Sequence, residues 1–600
     1  MNIKLIKNQT EERLGRFNKL RGHPDDPEVF WDYVVLTAVD EAQKESYKLQ
    51  LEIKLQQKEL PLSAEYIVVA DPPGPKIGNG GSTMVVLDHL FKTFEDDIWS
   101  KKVIIIHAGG FSQRLPNASV MGKAFLGMPF GEPMYQALEL KLASYIDFPQ
   151  KIPQGGFFVC CADTVEVYND DNASWVFASD GFTALTHMSP MSIGTTHGVF
   201  VLDKPISRQH IVYDCRKFLH KPSFKLMEST KNCVIFKDEK DSWVTTDSAF
   251  FISPKVAKLL LHFYETNAPL SCEIDAYGDF LQALGKESSS DYIHNNKNVC
   301  EETDSLVQTR QKIYDLLHIV PLYAITLFPK PKNESSSLLG SIFYHFGTVK
   351  EYRDNFTVDK NFRSMLGVQA ITSSKGVPHQ FTITNEENFG STKIKISDQG
   401  ALSCSVQQVR CSTPCIMGSV LLADVSIGQG TIIEYSYIRE GVKIGDNCII
   451  SNCSLPRNIS IPNCVFMDTV AIKVDNPTLY VTIILEAHAD TKKSVSKENA
   501  LDQLFYFNKP LKSRFSEKCL PNSTKASLWN VKIFPATTSM VESCETACKA
   551  LNGLTSADSS LLYKDINEDS MFSITNILSL KDLNSVLEFR KYLANEIHSV

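Results

Sequence analysis

The sequence predicts an α/β protein: a Rossmann-like, mostly parallel sheet, followed by a hexapeptide-type β-helix and a C-terminal mixed segment. Three observations predict it. Apolar, β-rich runs alternate with helical stretches over residues 31–365, the pattern of a parallel sheet covered on both faces. Val425-Ser426-Ile427-Gly428 returns as Val442-Lys443-Ile444-Gly445 and again as Ile459-Ser460-Ile461-Pro462, a step of 17 residues each time. A period near 18 with sub-steps of about six is the mark of hexapeptide coils. Finally, 43% hydrophobic and 10% aromatic residues in a 600-residue chain suit a full core rather than disorder. At roughly 150 residues per unit, that length calls for several units.

The elements follow in order. Residues 1–30 are charged and read as an N-terminal helical extension, with a short helix over 10–22 and a prolyl turn at His23-Pro24-Asp25-Asp26-Pro27. Trp31–Thr37 is the first strand and enters a helical stretch over 40–59. Tyr66–Ala70 is the second, leading through Asp71-Pro72-Pro73-Gly74 to Gly78-Asn79-Gly80-Gly81-Ser82-Thr83. Val103–Ile106 is continuously apolar, as for a strand buried on both faces, and ends in His107-Ala108-Gly109-Gly110. Phe157–Ala162 is a buried strand ending at Asp163. Loops 286–304 and 329–340 are rich in Ser, Asn, Lys and Pro and read as surface connections. The β-helix is expected over 400–475. The segment 476–600 has a strand end near Ser527–Pro535 and a final amphipathic helix over Leu580–Ile597, with Leu583, Val586, Leu587 and Leu593 at helical spacing.

Composition narrows the function. Lys and Arg number 61 against 69 Asp and Glu, a net charge of −8. That argues against non-specific nucleic-acid binding and against a polybasic membrane anchor. No apolar run approaches the ~20 residues that span a bilayer. The start, MNIKLIKNQTEERLGRF, has no apolar leader region. Fifteen Cys, an odd number thinly spread, read as reduced intracellular thiols. No CxxC pair recurs at zinc spacing. The expectation is a soluble cytoplasmic enzyme with no nucleic-acid or membrane partner.

The chemistry concentrates in His107-Ala-Gly-Gly-Phe-Ser-Gln-Arg114-Leu-Pro-Asn-Ala-Ser-Val-Met-Gly-Lys123. A buried strand delivers the chain to a Gly pair, Gly109 and Gly110, whose backbone N–H groups can turn toward an anion. Arg114 adds a planar fork and Lys123 a point charge, a set suited to a triphosphate. The stretch resembles the pyrophosphorylase signature of the sugar nucleotidyltransferase family, except that Ser112 stands where that family usually has Gly. Left-handed geometry at Ser112 would be strained. Thr195-Thr196-His197-Gly198-Val199-Phe200 resembles the family strand whose Gly lets the sugar approach the backbone. Phe218-Leu219-His220-Lys221-Pro222 resembles its Lys-Pro motif. Tyr344-His345-Phe346-Gly347-Thr348 resembles its late Asp-x-Gly-Thr motif, with His345 in place of the Asp. Within the family, Gly78–Thr83, His107–Pro116 and Ser271–Phe280 together are similar to the GDP-L-fucose pyrophosphorylases, along most of the chain.

The resemblance implies a nucleotidyltransferase domain over 31–365, and transfer of guanylyl from GTP to L-fucose 1-phosphate. The products would be GDP-L-fucose and pyrophosphate, in salvage of free fucose. It implies that Asp163 binds Mg²⁺ beside the α-phosphate and that Lys221 contacts the sugar phosphate. Arg114 and Lys123 would hold the β- and γ-phosphates. Gly109, Gly110, Ser112 and Gly198 would line the nucleotide and sugar. Gly78–Thr83, with Gly78, Gly80 and Gly81, reads either as a backbone cradle for ribose, base or phosphate or as a strand-to-helix turn with Ser82 or Thr83 as N-cap. Mg²⁺ prefers oxygen ligands, so His345 puts the second protein ligand in question. Glu273, Asp275 and Asp279 stand as sugar or metal ligands, or as a solvated face. The attacking sugar phosphate is already an anion, so no general base is required. Three alternatives stand beside this reading: another nucleotide-sugar pyrophosphorylase, a non-catalytic sensor on the same fold, and a hexapeptide acyltransferase. The last lacks a His between Phe381 and Ala487. For the β-helix, oligomerisation or docking of the C-terminal segment is the expected role.

Overall fold

The apolar runs of the first half become neighbouring strands of one sheet. The computed structural model describes residues 3–24, 30–168, 174–206, 211–237, 242–246, 249–294, 303–327, 341–376, 381–383, 392–394, 412–474, 477–555 and 570–598. The chain divides into two units. The first comprises Met1–Gly110 and Leu138–His345, the second Phe111–Ala137 and Phe346–Val600.

In the first unit the strands are β1 (Tyr33–Ala38), β2 (Glu65–Ala70), β3 (Lys102–His107), β4 (Gly156–Cys161), β5 (Thr164–Tyr168), β6 (Phe182–Pro190), β7 (Gly198–Leu202), β8 (Val212–His220), β9 (Phe236–Lys237), β10 (Ser242–Thr246), β11 (Phe250–Ile252), β12 (Leu322–Thr326) and β13 (Ser341–His345). The main sheet has the order β2-β1-β3-β4-β11-β6-β12-β8-β7, with β10 and β9 attached at β6. Neighbours β2, β1, β3 and β4 are parallel, as are β6 and β12. β11 and β8 run against them. Val103, Ile104, Ile105 and Ile106 are fully buried, which is why β3 shows no polar alternation.

Helices cover the sheet. α1 (Ile3–Leu20) is longer than its sequence pattern implies and is no loose extension. Its Ile6, Phe17 and Leu20 are buried, and its Arg13 pairs with Asp147 at 2.9 Å and donates to the Tyr168 carbonyl at 2.8 Å. α2 (Glu41–Gln56) starts at Asp40, whose side chain caps Gln43 N–H. α3 (Gly78–Phe94) starts at the second Gly-rich stretch.

In the second unit the 17-residue repeat becomes three parallel ladders. Ile416 pairs with Ile433, Ile433 with Ile450, and Ile450 with Met467. Val420, Tyr437 and Ser454 form the second, and Ile427, Ile444 and Ile461 the third. Ile432, Ile433, Ile449 and Ile450 are fully buried, so the repeated apolar positions are the interior ones. Val465–Lys473 leaves the repeat, pairing antiparallel with Thr478–Glu486; Phe534–Thr537 and Met571–Phe572 continue that sheet. The final helix, expected over Leu580–Ile597, runs Leu583–His598, and a shorter helix, Ile574–Leu580, precedes it. Between the two, Asp582 N–H donates to the Ala471 carbonyl at 2.8 Å. Leu583, Val586 and Leu593 are buried as their spacing predicts.

Among the described residues every cysteine is a free thiol. None of the described helices is long and apolar enough to cross a membrane. The expected surface loop 329–340 lies outside the described residues.

Candidate functional site

The strand order places a switch between β1 and β3: the chain leaves β1 toward β2 on one side and returns to β3 on the other. In open α/β sheets, ligands bind outside the carboxyl ends of strands at such a point. Gly109 and Gly110 follow β3 there. A Cβ on Gly109 would lie 3.2 Å from the backbone of Ala38 and Val39, so close approach of the two strand ends favours Gly. The expectation had these N–H groups facing an anion. Instead, Gly109 N–H points at Thr37 Oγ1 at 3.4 Å, and Gly110 N–H at Gln43 Oε1 at 3.3 Å. Gln43 Nε2 returns a bond to the Gly110 carbonyl at 3.1 Å, and Tyr47 OH donates to the Ala108 carbonyl at 2.8 Å. Thr37, Gln43 and Tyr47 thus shape the loop, and no local motif marks them.

The signature is split between the units. His107–Gly110 belongs to the first; Ser112, Arg114 and Lys123 belong to the second. Ser112 adopts φ +47°, the left-handed geometry its sequence position raised as a strain. For a non-Gly residue this costs about 1–2 kcal/mol. Its Oγ is buried without a hydrogen-bond partner among the described residues. Arg114 is exposed, and its carbonyl accepts from Val349 N–H at 2.9 Å. A five-residue helix, Asn117–Met121, and Gly122 at φ +93° carry the chain from Arg114 to Lys123.

Back in the first unit, Asp163 follows β4, and β13 pairs with β5 so that His345 lies opposite Thr164. His345 Nε2 is 3.7 Å from Asp163 Oδ2. The late motif therefore reaches the first carboxylate, but with an imidazole. The His197 ring is 6.2 Å from the His345 ring, centroid to centroid. Among the described residues no three His, Cys, Asp or Glu side chains form a metal cluster. Mg²⁺ commonly takes one or two carboxylates and completes its shell with substrate phosphates and water. Asp163 fits that mode as the single carboxylate; His345 does not suit it as a second.

Lys221 joins the same group through the backbone. It is exposed at φ +45°, and its N–H donates to the His197 carbonyl at 3.3 Å. A left-handed Lys before Pro is an outlier of the kind that collects at functional sites. The structure adds a packing reason for Gly198. A Cβ there would lie 2.2 Å from Cζ of Phe218 across the β7–β8 pair, so the ring occupies the space. His220 is held neutral, with burial lowering its pKa to about 4 against the opposing pull of Asp275.

The two remaining motifs meet each other. Gly80 N–H donates to the Ile274 carbonyl at 2.9 Å, and Ala276 N–H to Asn79 Oδ1 at 2.8 Å. Gly78 sits at φ +72°, where a Cβ would meet Ile274 O at 2.4 Å; those on Gly80 and Gly81 would meet Ile274 and Ile77 within 3 Å. Gly78 and Gly80 thus allow close docking of the 271–280 segment, while Gly81 leaves room for Ile77 and Leu270. Ser82 donates to Asp71 at 2.6 Å, and Thr83 bonds His107 at 3.0 Å. Burial raises Asp71 to about 6 and lowers His107 to about 4. Asp279 is neither a ligand nor solvated. It is 1% exposed and paired with Arg310 at 2.8 Å. Asp275 caps the turn that follows, accepting from Tyr277 N–H, and Glu273 pairs with Lys76 at 2.6 Å.

Known proteins match the chain in sequence. Residues 95–539 match the profile described as the fucose pyrophosphorylase domain. The chain is 36% identical to the fucose-1-phosphate guanylyltransferase of Mus musculus, covering 99% of this chain and 98% of that one. It is 37% identical to the protein of that name from Homo sapiens, covering 99% and 95%. A shorter match is the L-fucokinase/L-fucose-1-P guanylyltransferase of Bacteroides fragilis, 26% identical over 48% of this chain and 27% of that one. A profile match over residues 95–539 and likeness along nearly the whole length of two relatives show that the chain belongs to the fucose pyrophosphorylase family.

Proposed function

We infer that this chain is a nucleotidyltransferase that moves guanylyl from GTP to L-fucose 1-phosphate, forming GDP-L-fucose and pyrophosphate in salvage of free L-fucose. The observation that carries it is identity of 36% and 37% over 99% of the chain to two fucose-1-phosphate guanylyltransferases. An oxygen of the sugar phosphate attacks the α-phosphorus of GTP, and the bond from that phosphorus to the β-phosphate oxygen breaks. Both reactants are anions, so the barrier is charge repulsion and alignment rather than proton transfer. Arg114 and Lys123 hold the β- and γ-phosphates and the departing pyrophosphate. Lys221 draws in the sugar phosphate. Gly109, Gly110 and Ser112 border the phosphates, Gly78–Thr83 the nucleoside, and Gly198 the sugar strand. Asp163 would hold Mg²⁺, which when bound neutralises phosphate charge beside the reacting phosphorus.

The site therefore works by placing cations in advance of the charge that develops, the term that dominates most enzymic rate enhancement. Retention of Arg114, Lys123 and Asp163 favours catalysis over a sensor role. We read residues 31–365 as the catalytic domain. We read residues 400–475, whose described part within 412–474 carries the 17-residue ladders, as a hexapeptide-type β-helix and a surface for oligomer contact, and the location as the cytoplasm. The test is chromatography of the purified chain with GTP, L-fucose 1-phosphate and Mg²⁺. GDP-L-fucose and pyrophosphate should appear in equal amounts; GTP recovered intact would refute the assignment.

A further inference from the structure

The segment from Arg114 to Lys123 is anchored inside the second unit by groups far away in sequence. Val349 N–H donates to the Arg114 carbonyl at 2.9 Å, Thr491 Oγ1 donates to the Gln113 carbonyl, and Lys581 Nζ donates to the Val120 carbonyl at 2.8 Å. The fourth anchor is a side chain. Asn117 opens the short helix between Arg114 and Lys123 and is 3% exposed. Its Nδ2 donates to Glu434 Oε1 at 2.9 Å.

Glu434 is an unusual residue for its place. It ends the ladder strand Ile432–Glu434 and is 2% exposed, with Met417 and Ser451 as its ladder neighbours. Its carboxylate is satisfied by neutral donors: Asn117 and Ser451 (2.7 Å) on one oxygen, and Tyr352 OH (2.8 Å) on the other. Tyr352 is itself fully buried. Taking a carboxylate out of water is expensive, and an apolar residue could fill an interior ladder position without that expense. What the carboxylate adds is direction: Ser451 and Tyr352 fix its two oxygens, and one of these oxygens accepts from Asn117 and holds it at one place. The network continues outward, since Asn452 Nδ2 bonds Ser451 at 3.0 Å and Arg590 Nε bonds Asn452 Oδ1 at 3.0 Å.

We propose that Glu434 is a positioning residue for the transfer reaction, fixing through Asn117 the segment that presents Arg114 and Lys123. The inference rests on the reading of those two cations as the phosphate-holding pair. Glu434 touches no substrate. It acts because a loop free to shift would place the cations off the geometry in which they stabilise the departing pyrophosphate.

The experiment is a double-mutant cycle on the full chain, with steady-state kinetics in GTP and L-fucose 1-phosphate. Glu434→Leu and Asn117→Ala are each made alone and combined with Lys123→Ala. Turnover should fall about tenfold or more in each single variant, the scale for losing a hydrogen bond to a charged group, while KM for L-fucose 1-phosphate moves far less. Glu434→Gln keeps one acceptor oxygen for Asn117 and should recover most of the loss. In the Lys123→Ala background the Glu434→Leu loss should shrink, because the residue it positions is gone. Parent-like turnover by Lys123→Ala would overturn the reading of the loop, and this inference with it. A slow Lys123→Ala beside fast Glu434→Leu and Asn117→Ala variants, or fully additive losses, would overturn the positioning role alone. Should Glu434→Leu fail to fold, Asn117→Ala decides by the same criteria.

Discussion

In the proposed reaction Lys123 and Asp163 stand for the two halves of the chemistry: a cation for the leaving phosphates and an anion that would carry a metal. Replacing either with Ala removes a preorganised charge partner, and turnover should drop by at least ~100-fold in a folded variant. Near-parent rates in the purified variant would dismiss that residue from the site. Gly198 makes a contrasting case. Its motif could be read from sequence, but the reason for Gly could not, because the reason is the Phe218 ring on the neighbouring strand. Gly198→Ala should therefore lower stability by about 1–3 kcal/mol in denaturant melts, the scale of overpacking. A variant as stable as the parent would mean that the ring yields freely. Asp279 shows the same limit. Nothing in Ser271–Phe280 announces a partner, and Arg310 lies 31 positions on.

Elements were more legible than their partners. The strands β1 to β4 follow from apolar runs, and the 17-residue ladders follow from a repeat in which the same positions are buried each time. Periodicity reports burial, and burial is what these elements share. It does not report polar groups placed inside on purpose. Asp468, on the strand Val465–Lys473, is fully buried, and burial pushes its carboxyl up to about 8. Glu434 adds to the shift, while Asn452 and Arg590 oppose it. A carboxyl raised in the folded state binds its proton more tightly there than in the unfolded chain. Stability is then lost as pH rises from about 4 toward about 8. Asp468→Asn should melt higher than the parent at pH 9, with the advantage shrinking steadily toward pH 5. A difference that does not change with pH would show that the carboxyl titrates normally. The final helix was legible for the same reason as the ladders: expected over Leu580–Ile597, it runs Leu583–His598 with Leu583, Val586 and Leu593 buried.

For the whole molecule, the division into two units cuts the signature between Gly110 and Phe111. The cationic segment shares its unit with the ladders and the C-terminal region, while Asp163, His345 and Lys221 share theirs with the large sheet. A linear reading places a catalytic domain first and accessory parts after it. The contacts of Asn117, Val120 and Gln113 tie the cationic segment to later segments of its own unit. The central claim concerns one reaction, and one measurement reaches it most directly: pyrophosphate release by the purified chain, with each of the four NTPs against a panel of sugar 1-phosphates. The account predicts release with GTP and L-fucose 1-phosphate well above every other pair. Equal release with another nucleotide or sugar, or none with any pair, would contradict it.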